Sequence, residues 1–231
     1  MYITLPFKLK VFTTPTSYDI NYALHYLERR EKKLKEDLLY FQNLFRKYNI
    51  QITQGAVLDL AAGVGIDLKI LSEFKPKKLI WHDKMEGPYE IAKKTLKDLQ
   101  NVIFNKKDLM DLEEYRENSI DFIICRESLY YAGNDYYFFQ QIKRILKPGG
   151  FFWGKNATKE YYSDTIKNKE KFLKKIQHVF DWNLYKFSGL RFFPFLPIEK
   201  RRLIFVLKKL NFTIIFMEEK EGFIEFLISK Q

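Results

Sequence analysis

A three-layer α/β sandwich around a mostly parallel sheet is the fold this sequence predicts, on three observations. From Ile50 onward, short apolar runs alternate with segments whose apolar residues recur every three or four positions, the pattern of strands alternating with amphipathic helices. The apolar runs are nearly continuous, as strands covered on both faces are. The chain then closes on two apolar runs joined by the acidic turn Glu218-Glu219-Lys220-Glu221, which reads as an antiparallel hairpin added to the parallel strands, seven strands in all. With 231 residues, one domain can bury a continuous core without disulfides or metals.

The elements follow in order. Residues 18–48 read as one long amphipathic helix, with Tyr22, Leu27, Leu34, Leu38, Leu39, Phe41 and Phe45 apolar and charges between them. Strands are expected at 56–60, 78–82, 102–105, 120–125 and 151–154, and helices at 66–74, 89–99, 112–116 and 135–146. Lys147-Pro148-Gly149-Gly150 closes the last of these helices, because proline cannot continue it and the glycines supply a tight turn into the next strand. Alternation then lapses. Residues 157–196 carry many aromatics and a helix at 169–180, and read as a cap inserted after strand five. A helix over 198–210 and the hairpin runs 212–217 and 222–228 complete the chain. The expected organisation is a helical extension at 1–49, a core at 50–156, the cap at 157–196 and a closing unit at 197–231.

Composition narrows the function classes. The one cysteine, Cys125, excludes an internal disulfide, and Met-Tyr-Ile-Thr-Leu-Pro-Phe lacks the basic-then-apolar pattern of a secretion signal. No apolar run approaches a membrane span, and His25, His82 and His178 show no ligand spacing with Cys125, so a cytoplasmic, metal-free protein is expected. Forty Lys and Arg against 29 Asp and Glu give a formal charge of +11. Such a field attracts polyanions and makes RNA a possible partner, although a Lys-rich composition is also a plain solubility feature.

The chemistry concentrates at strand ends. The run Asp59-Leu60-Ala61-Ala62-Gly63-Val64-Gly65 leads from a strand through a glycine turn into a helix, which puts backbone N–H groups and a carboxylate at the carboxyl edge of the sheet, where such folds bind ligands. Gly63 and Gly65 let a ligand approach the backbone. Asp83 ends the second strand, where its carboxylate can accept from both hydroxyls of a ribose or, alternatively, cap the next helix. Asp108 follows the third strand in the same manner and can accept from an exocyclic amine of adenine. Three acids at three successive strand ends point to a nucleoside ligand.

Over about 100 residues the sequence resembles the class I S-adenosylmethionine-dependent methyltransferases, of the type 11/25 group, which have a Rossmann-like core. The likeness lies in Val57-Leu58-Asp59-Leu60-Ala61-Ala62-Gly63-Val64-Gly65, in Asp83 with Ala92, in Asp108, in Ile120-Asp121-Phe122-Ile123-Ile124, and in Ile142-Lys143-Arg144-Ile145-Leu146-Lys147-Pro148-Gly149-Gly150. The resemblance implies S-adenosyl-L-methionine as cofactor, with Asp59, Ala61 and Gly63 at its methionine end, Asp83 at the ribose, and Asp108 with Leu109 at the adenine. Gly65, Lys84 and Arg126 complete the candidate cofactor set. One departure stands out: Ala61 replaces the first glycine of the family's loop, so the backbone there is expected to avoid a conformation only glycine tolerates, or the loop to shift.

The segment Cys125-Arg126-Glu127-Ser128-Leu129-Tyr130-Tyr131 faces the transferable methyl in the family. Glu127 and Tyr130 are the candidate catalytic residues, the first to orient an amine and the second to orient or deprotonate a nucleophile. Arg126 holds an anion, or else pairs with Glu127 on the surface. No Asn-Pro-Pro-Tyr or Asp-Pro-Pro-Tyr run follows the fourth strand, which lowers the subclasses acting on base amines or glutamine. The expected activity is methyl transfer to an oxygen or nitrogen of a small or medium-sized acceptor. The alternatives are an RNA methyltransferase with a cap-like or tRNA substrate, and a non-catalytic protein that binds the cofactor or a partner.

Overall fold

The computed structural model describes residues 2–10, 20–158, 184–190 and 198–231. Strands β1 (Ala56–Leu60), β2 (Lys78–His82), β3 (Val102–Asn105), β4 (Ile120–Arg126), β5 (Leu146–Ala157), β6 (Phe212–Lys220) and β7 (Phe223–Lys230) form one sheet in the order β3-β2-β1-β4-β5-β7-β6. The first five are parallel, and β7 pairs antiparallel to both β5 and β6. The order reverses between β1 and β4. Their carboxyl ends therefore flank the crevice in which open α/β sheets bind ligands.

The N-terminal helix expected over 18–48 is two helices, α1 (Ile20–Glu31) and α2 (Leu34–Tyr48), its first two residues lying outside the described set. They serve different surfaces. Arg30 of α1 is drawn into a buried ion cluster, and α1 packs Ala23 against Val64, Ile66 and Ile91. Helix α2 presses Phe41, Leu44 and Phe45 onto the sheet, with Phe45 against Phe122 and Phe41 against Trp153. The change of direction falls at Lys32-Lys33, where the Lys33 N–H bonds back three residues to the Arg30 carbonyl. Apolar spacing runs on across the break, so periodicity alone does not reveal it.

Helices α3 (Ile66–Ser72) and α4 (Glu86–Thr95) cover the α2 face, while α5 (Asp135–Ile145) and α6 (Lys200–Lys209) cover the other. Residues 112–116 are a turn, against the helix expected there. The Leu112 carbonyl accepts the Tyr115 N–H, three residues on, and the Arg144 guanidinium donates to the carbonyls of Leu112 and Tyr115, holding this single turn from outside. The Lys147-Pro148-Gly149-Gly150 turn is likewise not a boundary between helix and strand. It sits within β5 as a register shift opposite Asp121, between the pairs Ile120–Leu146 and Phe122–Phe151. The hairpin turn also lies later than expected, since β6 runs to Lys220. Glu221 (φ 53°) and Gly222 (φ 77°) then make a tight turn with two left-handed residues, the geometry that matches strand twist.

Two buried layers result. Phe138, Phe139, Phe152 and Phe226 interlock beneath α5 and α6, and Phe41, Phe45, Phe122 and Trp153 do so beneath α2. Residues 2–10 run along the carboxyl side of the sheet: Asn134 Nδ2 donates to the carbonyls of Leu5 and Phe7, and Lys8 and Lys10 pair with Asp111. Fully buried Arg202 donates to both oxygens of Asp135 and to the carbonyls of Ile3 and Phe187, joining this segment to residues 184–190. The helix expected at 169–180 and most of the cap expected at 157–196 lie outside the described residues. No described helix is long and apolar enough to cross a membrane.

Candidate active site at the carboxyl edge

The loop after β1 is built from its hydrogen bonds. Asp83, at the end of β2, accepts the Gly63 N–H on Oδ2 and the Met85 N–H on Oδ1, each at 2.9 Å. Trp81 Nε1 donates to the Gly63 carbonyl at 2.8 Å. Strand β2 thus grips the loop of β1 from two sides. Asp83 does not cap α4 through its side chain in the usual position, since Met85 is the N-cap residue and Asp83 precedes it. Burial raises the Asp83 pKa, and the N–H groups of Met85, Gly63 and Lys84 counter part of that.

Ala61 adopts the left-handed conformation at φ 54°, so the backbone keeps the geometry of the family's glycine instead of avoiding it. An L-residue pays on the order of 1 kcal/mol there. Gly63 (φ 51°) is buried, yet a Cβ there would point into open space, so no side chain fills the volume beside this part of the loop. Gly65 (φ 78°) differs: its Cβ would meet Leu96 Cδ1 at 2.8 Å, so this glycine serves the close packing of α3 on α4.

Asp59 is buried, and its Oδ2 has no hydrogen-bond partner among the described residues. Burial, with the Asp67 charge next, raises its pKa well above the usual carboxylate range, and Arg126 opposes this. A buried acceptor without a donor costs about 1–3 kcal/mol, and a cationic donor placed there would recover it. Together with the open space beside Gly63, this orphaned oxygen fits the ammonium group of a methionine moiety.

Arg126 does not lie on the surface with Glu127. Its side chain is buried, donates from Nε and Nη2 to both oxygens of Asp67 at 3.0–3.2 Å, and lies 4.8 Å over the Trp153 ring. Arg30 from α1 donates to Asp67 Oδ1 at 2.9 Å and to Asp37 at 2.9 Å. Burial alone would raise the Asp67 pKa, but Arg126 and then Arg30 outweigh it and hold the carboxyl below its usual range. Tyr26 of α1 lies in this cluster with its phenol pushed up to about 12 by burial. Sequence reasoning missed Asp67, Arg30 and Tyr26, for no pattern links residues so far apart.

At the end of β3, Asp108 Oδ2 accepts from Lys84 Nζ at 2.8 Å and Oδ1 from the Met110 N–H at 3.0 Å. His82 fixes this turn. A carbonyl can only accept, so Nε2 carries the proton and donates to the Asp108 carbonyl at 2.8 Å, leaving Nδ1 to accept from the Tyr115 hydroxyl at 2.8 Å. Burial lowers the His82 pKa and keeps that neutral tautomer. The Leu109 side chain belongs to the core, which leaves only its backbone for a base. Lys84, Lys107, Asp108, Asp111 and Glu114 line an open groove of about 640 Å³ beside the turn.

After β4 the chain turns sharply. Glu127 stands at φ 53°, and its N–H donates to the Lys155 carbonyl at 2.6 Å. Asn156 Oδ1 accepts the Leu129 N–H at 2.9 Å, anchoring the 3₁₀ turn Leu129–Tyr131. Tyr130 and Tyr131 pack with ring centroids 4.6 Å apart, and burial pushes the Tyr131 phenol up to about 12, with Asp83 among the charges it feels. Glu127 and Tyr130 are therefore on one turn, beside the loop that Asp83 holds. Cys125, fully buried with its thiol pKa raised by burial, is not presented to a substrate.

Comparison with known proteins sharpens this site. Residues 58–154 match the family described as a methyltransferase domain. The fold is similar to a candidate S-adenosyl-L-methionine-dependent methyltransferase of Methanococcus maripaludis (TM-score 0.64, 20% identity, 96% of this chain and 97% of that one). It is similar also to an S-adenosylmethionine-dependent methyltransferase of Aquifex aeolicus (TM-score 0.62, 15% identity, 92% and 98%). The [4+2]-cyclase SpnF shares the fold at TM-score 0.59 and 16% identity, over 83% of this chain and 80% of that one, so the fold alone does not name a reaction. A stretch of 80 residues is 31% identical to the small ribosomal subunit protein uS8 of Clostridium botulinum, over 35% of this chain and 57% of that protein, too short a share to show a family. The matched segment includes Asp59, the glycine loop, Asp83, Asp108 and the turn after β4, and residues 58–154 are accordingly a methyltransferase domain, in a fold that S-adenosylmethionine-dependent methyltransferases share.

Proposed function

We propose that this protein transfers a methyl group from S-adenosylmethionine to an oxygen or nitrogen of a small or medium-sized acceptor bound at the carboxyl edge of the sheet. The observation that carries the reading is the pairing of Asp83 with Gly63, which sets a carboxylate beside a glycine with open space next to its Cα at the switch point of the sheet. Asp83 would accept from the ribose hydroxyls on its remaining lone pairs, and Asp59 Oδ2 from the ammonium of the methionine end. Ala61 and Gly63 would line that end through their backbone. Asp108 and the Leu109 backbone would meet the adenine, with Lys84 holding Asp108 in place. Arg126 acts on this site through Asp67, since its guanidinium is spent on that carboxylate.

The cofactor supplies an activated methyl on a sulfonium, so the protein's task is alignment of a nucleophile more than acid catalysis. Glu127 and Tyr130 are the groups we assign to it. Glu127 accepts from an amine or hydroxyl and fixes its lone pair toward the methyl, and Tyr130 orients or deprotonates the nucleophile. The turn that carries both is fixed by the bonds of the Glu127 N–H to the Lys155 carbonyl and of the Leu129 N–H to Asn156 Oδ1, which supports a set orientation for the two side chains.

Incubation with methyl-labelled cofactor and fractionated cell extract tests the reading. A labelled small molecule, with S-adenosylhomocysteine released in equal amount, is the expected result. Label recovered in RNA would establish the RNA methyltransferase reading instead, and cofactor binding with no labelled product in any fraction would establish the non-catalytic one.

A further inference from the structure

The positive charge of this chain is not spread evenly over its surface. In a parallel α/β sheet the helices run back against the strands, so helix carboxyl ends and strand amino ends share the edge opposite the cofactor crevice. At that edge Lys75 and Lys77 precede β2 and Lys78 opens it, all three exposed. Across the sheet, Lys208 and Lys209 end α6, also exposed, and Lys143, Lys147 and Lys230 stand at the adjoining ends of α5, β5 and β7.

Hydrogen bonds tie the two groups into one rim. The Gln54 N–H donates to the Lys75 carbonyl, the Ala56 N–H to Asp121 Oδ2, and Lys147 to both Asp121 oxygens. Lys230 Nζ reaches Asn118 Oδ1 and the Leu146 carbonyl, while Lys143 Nζ reaches the Leu210 carbonyl. From β2 to β6 the rim crosses six strands, about 24 Å at the usual strand spacing.

The rim is short of acids. Glu73, Asp98, Glu117 and Asp121 are its carboxylates, and Asp121 is already taken by Lys147. No ion pair is formed by Lys75, Lys77, Lys78, Lys208 or Lys209 among the described residues. Lys143 and Lys230 donate to neutral carbonyl groups, and the Lys230 pKa is lowered by burial and then by the Lys143 charge, as expected where cations outnumber anions. The helix dipoles favour cations at helix carboxyl ends, which accounts for Lys143, Lys208 and Lys209. It accounts for Lys75 too, whose N–H closes the last turn of α3 on the Ser72 carbonyl, but not for Lys77 and Lys78, which lead into β2.

We infer that this edge is a docking surface for the phosphodiester backbone of a double-stranded nucleic acid, bound on the side of the domain away from the cofactor. Duplex is favoured over single strands because the rim offers cations and amides, while its aromatic rings among the described residues are packed on other rings, Phe74 against Phe45 at 4.6 Å and Tyr48 against Phe216 at 5.7 Å. Amide groups of Gln54 and Asn118 between the two lysine groups suit phosphate oxygens. Recognition of this kind is independent of base sequence. The inference does not rest on the acceptor proposed above, and cofactor binding is left untouched by it.

The test is fluorescence anisotropy of the full chain with labelled 20-base-pair duplexes of RNA and of DNA, at several salt concentrations. With four or five phosphates neutralised, the slope of log affinity against log salt is about −4, a loss of roughly two orders of magnitude between 50 and 200 mM salt. The triple variant Lys75→Gln/Lys77→Gln/Lys78→Gln should bind at least tenfold more weakly at low salt, with a shallower slope. Lys8→Gln/Lys10→Gln, on the opposite edge, should bind as the parent does. Unchanged S-adenosylhomocysteine affinity in each variant establishes that the fold is intact. Preference for one duplex over the other identifies which nucleic acid is the partner. The inference is overturned by no duplex binding at 50 mM salt, by equal binding of the triple variant, by a loss in the Lys8/Lys10 variant as large as in the triple variant, or by binding to vesicles containing phosphatidylserine without binding to either duplex.

Discussion

Replacing Asp67 by Asn should destabilise the protein by about 3–5 kcal/mol at pH 7, the cost of breaking a buried ion cluster by removing one partner. The structure sets this magnitude. Asp67 is nearly inaccessible, with 8% of its side chain exposed, and both its guanidinium partners are 10% exposed. Asn keeps one acceptor oxygen but turns an NH₂ group toward donors. Two buried cations then face a neutral amide, and only Arg30 has a second carboxylate, Asp37. For a chain of this length the loss corresponds to a fall in Tm of roughly 6–20 °C. The pH dependence supplies a second reading. Asp67 is held below the ordinary value of 3.8, so its stabilisation is fully present above that value and is lost as pH falls through the depressed folded-state value. The gap between parent and Asp67→Asn should hence be constant from pH 7 to about 5 and narrow below about 4. Urea unfolding at each pH measures it. A gap under 1 kcal/mol at pH 7, or one that does not close in acid, would refute the account of Asp67 as a charged keystone between α1, α3 and β4.

Three further outcomes are expected. Asp83→Ala should weaken S-adenosylhomocysteine binding in calorimetry by about 1–3 kcal/mol, because it strips an acceptor from the ribose and from the Gly63 N–H together; unchanged affinity would remove Asp83 from the cofactor site. Asp59, with its pKa raised by burial, should give up a proton when an ammonium group settles on Oδ2, so affinity should increase as pH rises toward the free-state value, and proton release, read from the dependence of binding enthalpy on buffer, should vanish in Asp59→Asn. Glu127→Gly relieves a left-handed residue and should raise stability by about 0.5–1 kcal/mol while abolishing methyl transfer; a variant that turns over normally would show Glu127 to be dispensable.

What the sequence could reveal follows from what kind of information a pattern holds. Strands β1 and β2 were legible to the residue, because runs such as Ala56–Leu60 are covered on both faces and leave no periodicity to misread, and β3, an edge strand with no buried residue, was legible from its short apolar run between asparagines. The break between α1 and α2 was not, because two helices that bury different faces on different partners can carry one unbroken spacing. Residues 112–116 illustrate a second limit. Their local composition permits a helix, but they form a single turn held by a guanidinium from α5, a partner that no local pattern shows.

The site divides in the same manner. Asp83 and Asp108 stood out because each ends a strand, and position along the sheet is a local property. Arg126 also ends a strand, yet its role depends on Asp67 and Trp153, neither of which is near it in sequence. Polarity marks a side chain as needing a partner without saying which, so it reads a buried cation as a surface one. Ala61 completes the argument from the other direction. Loss of the glycine suggested an altered loop, but the bonds of Asp83 and Trp81 to Gly63 hold the loop in place, and a strain on the order of 1 kcal/mol is small beside the two buried hydrogen bonds that impose it.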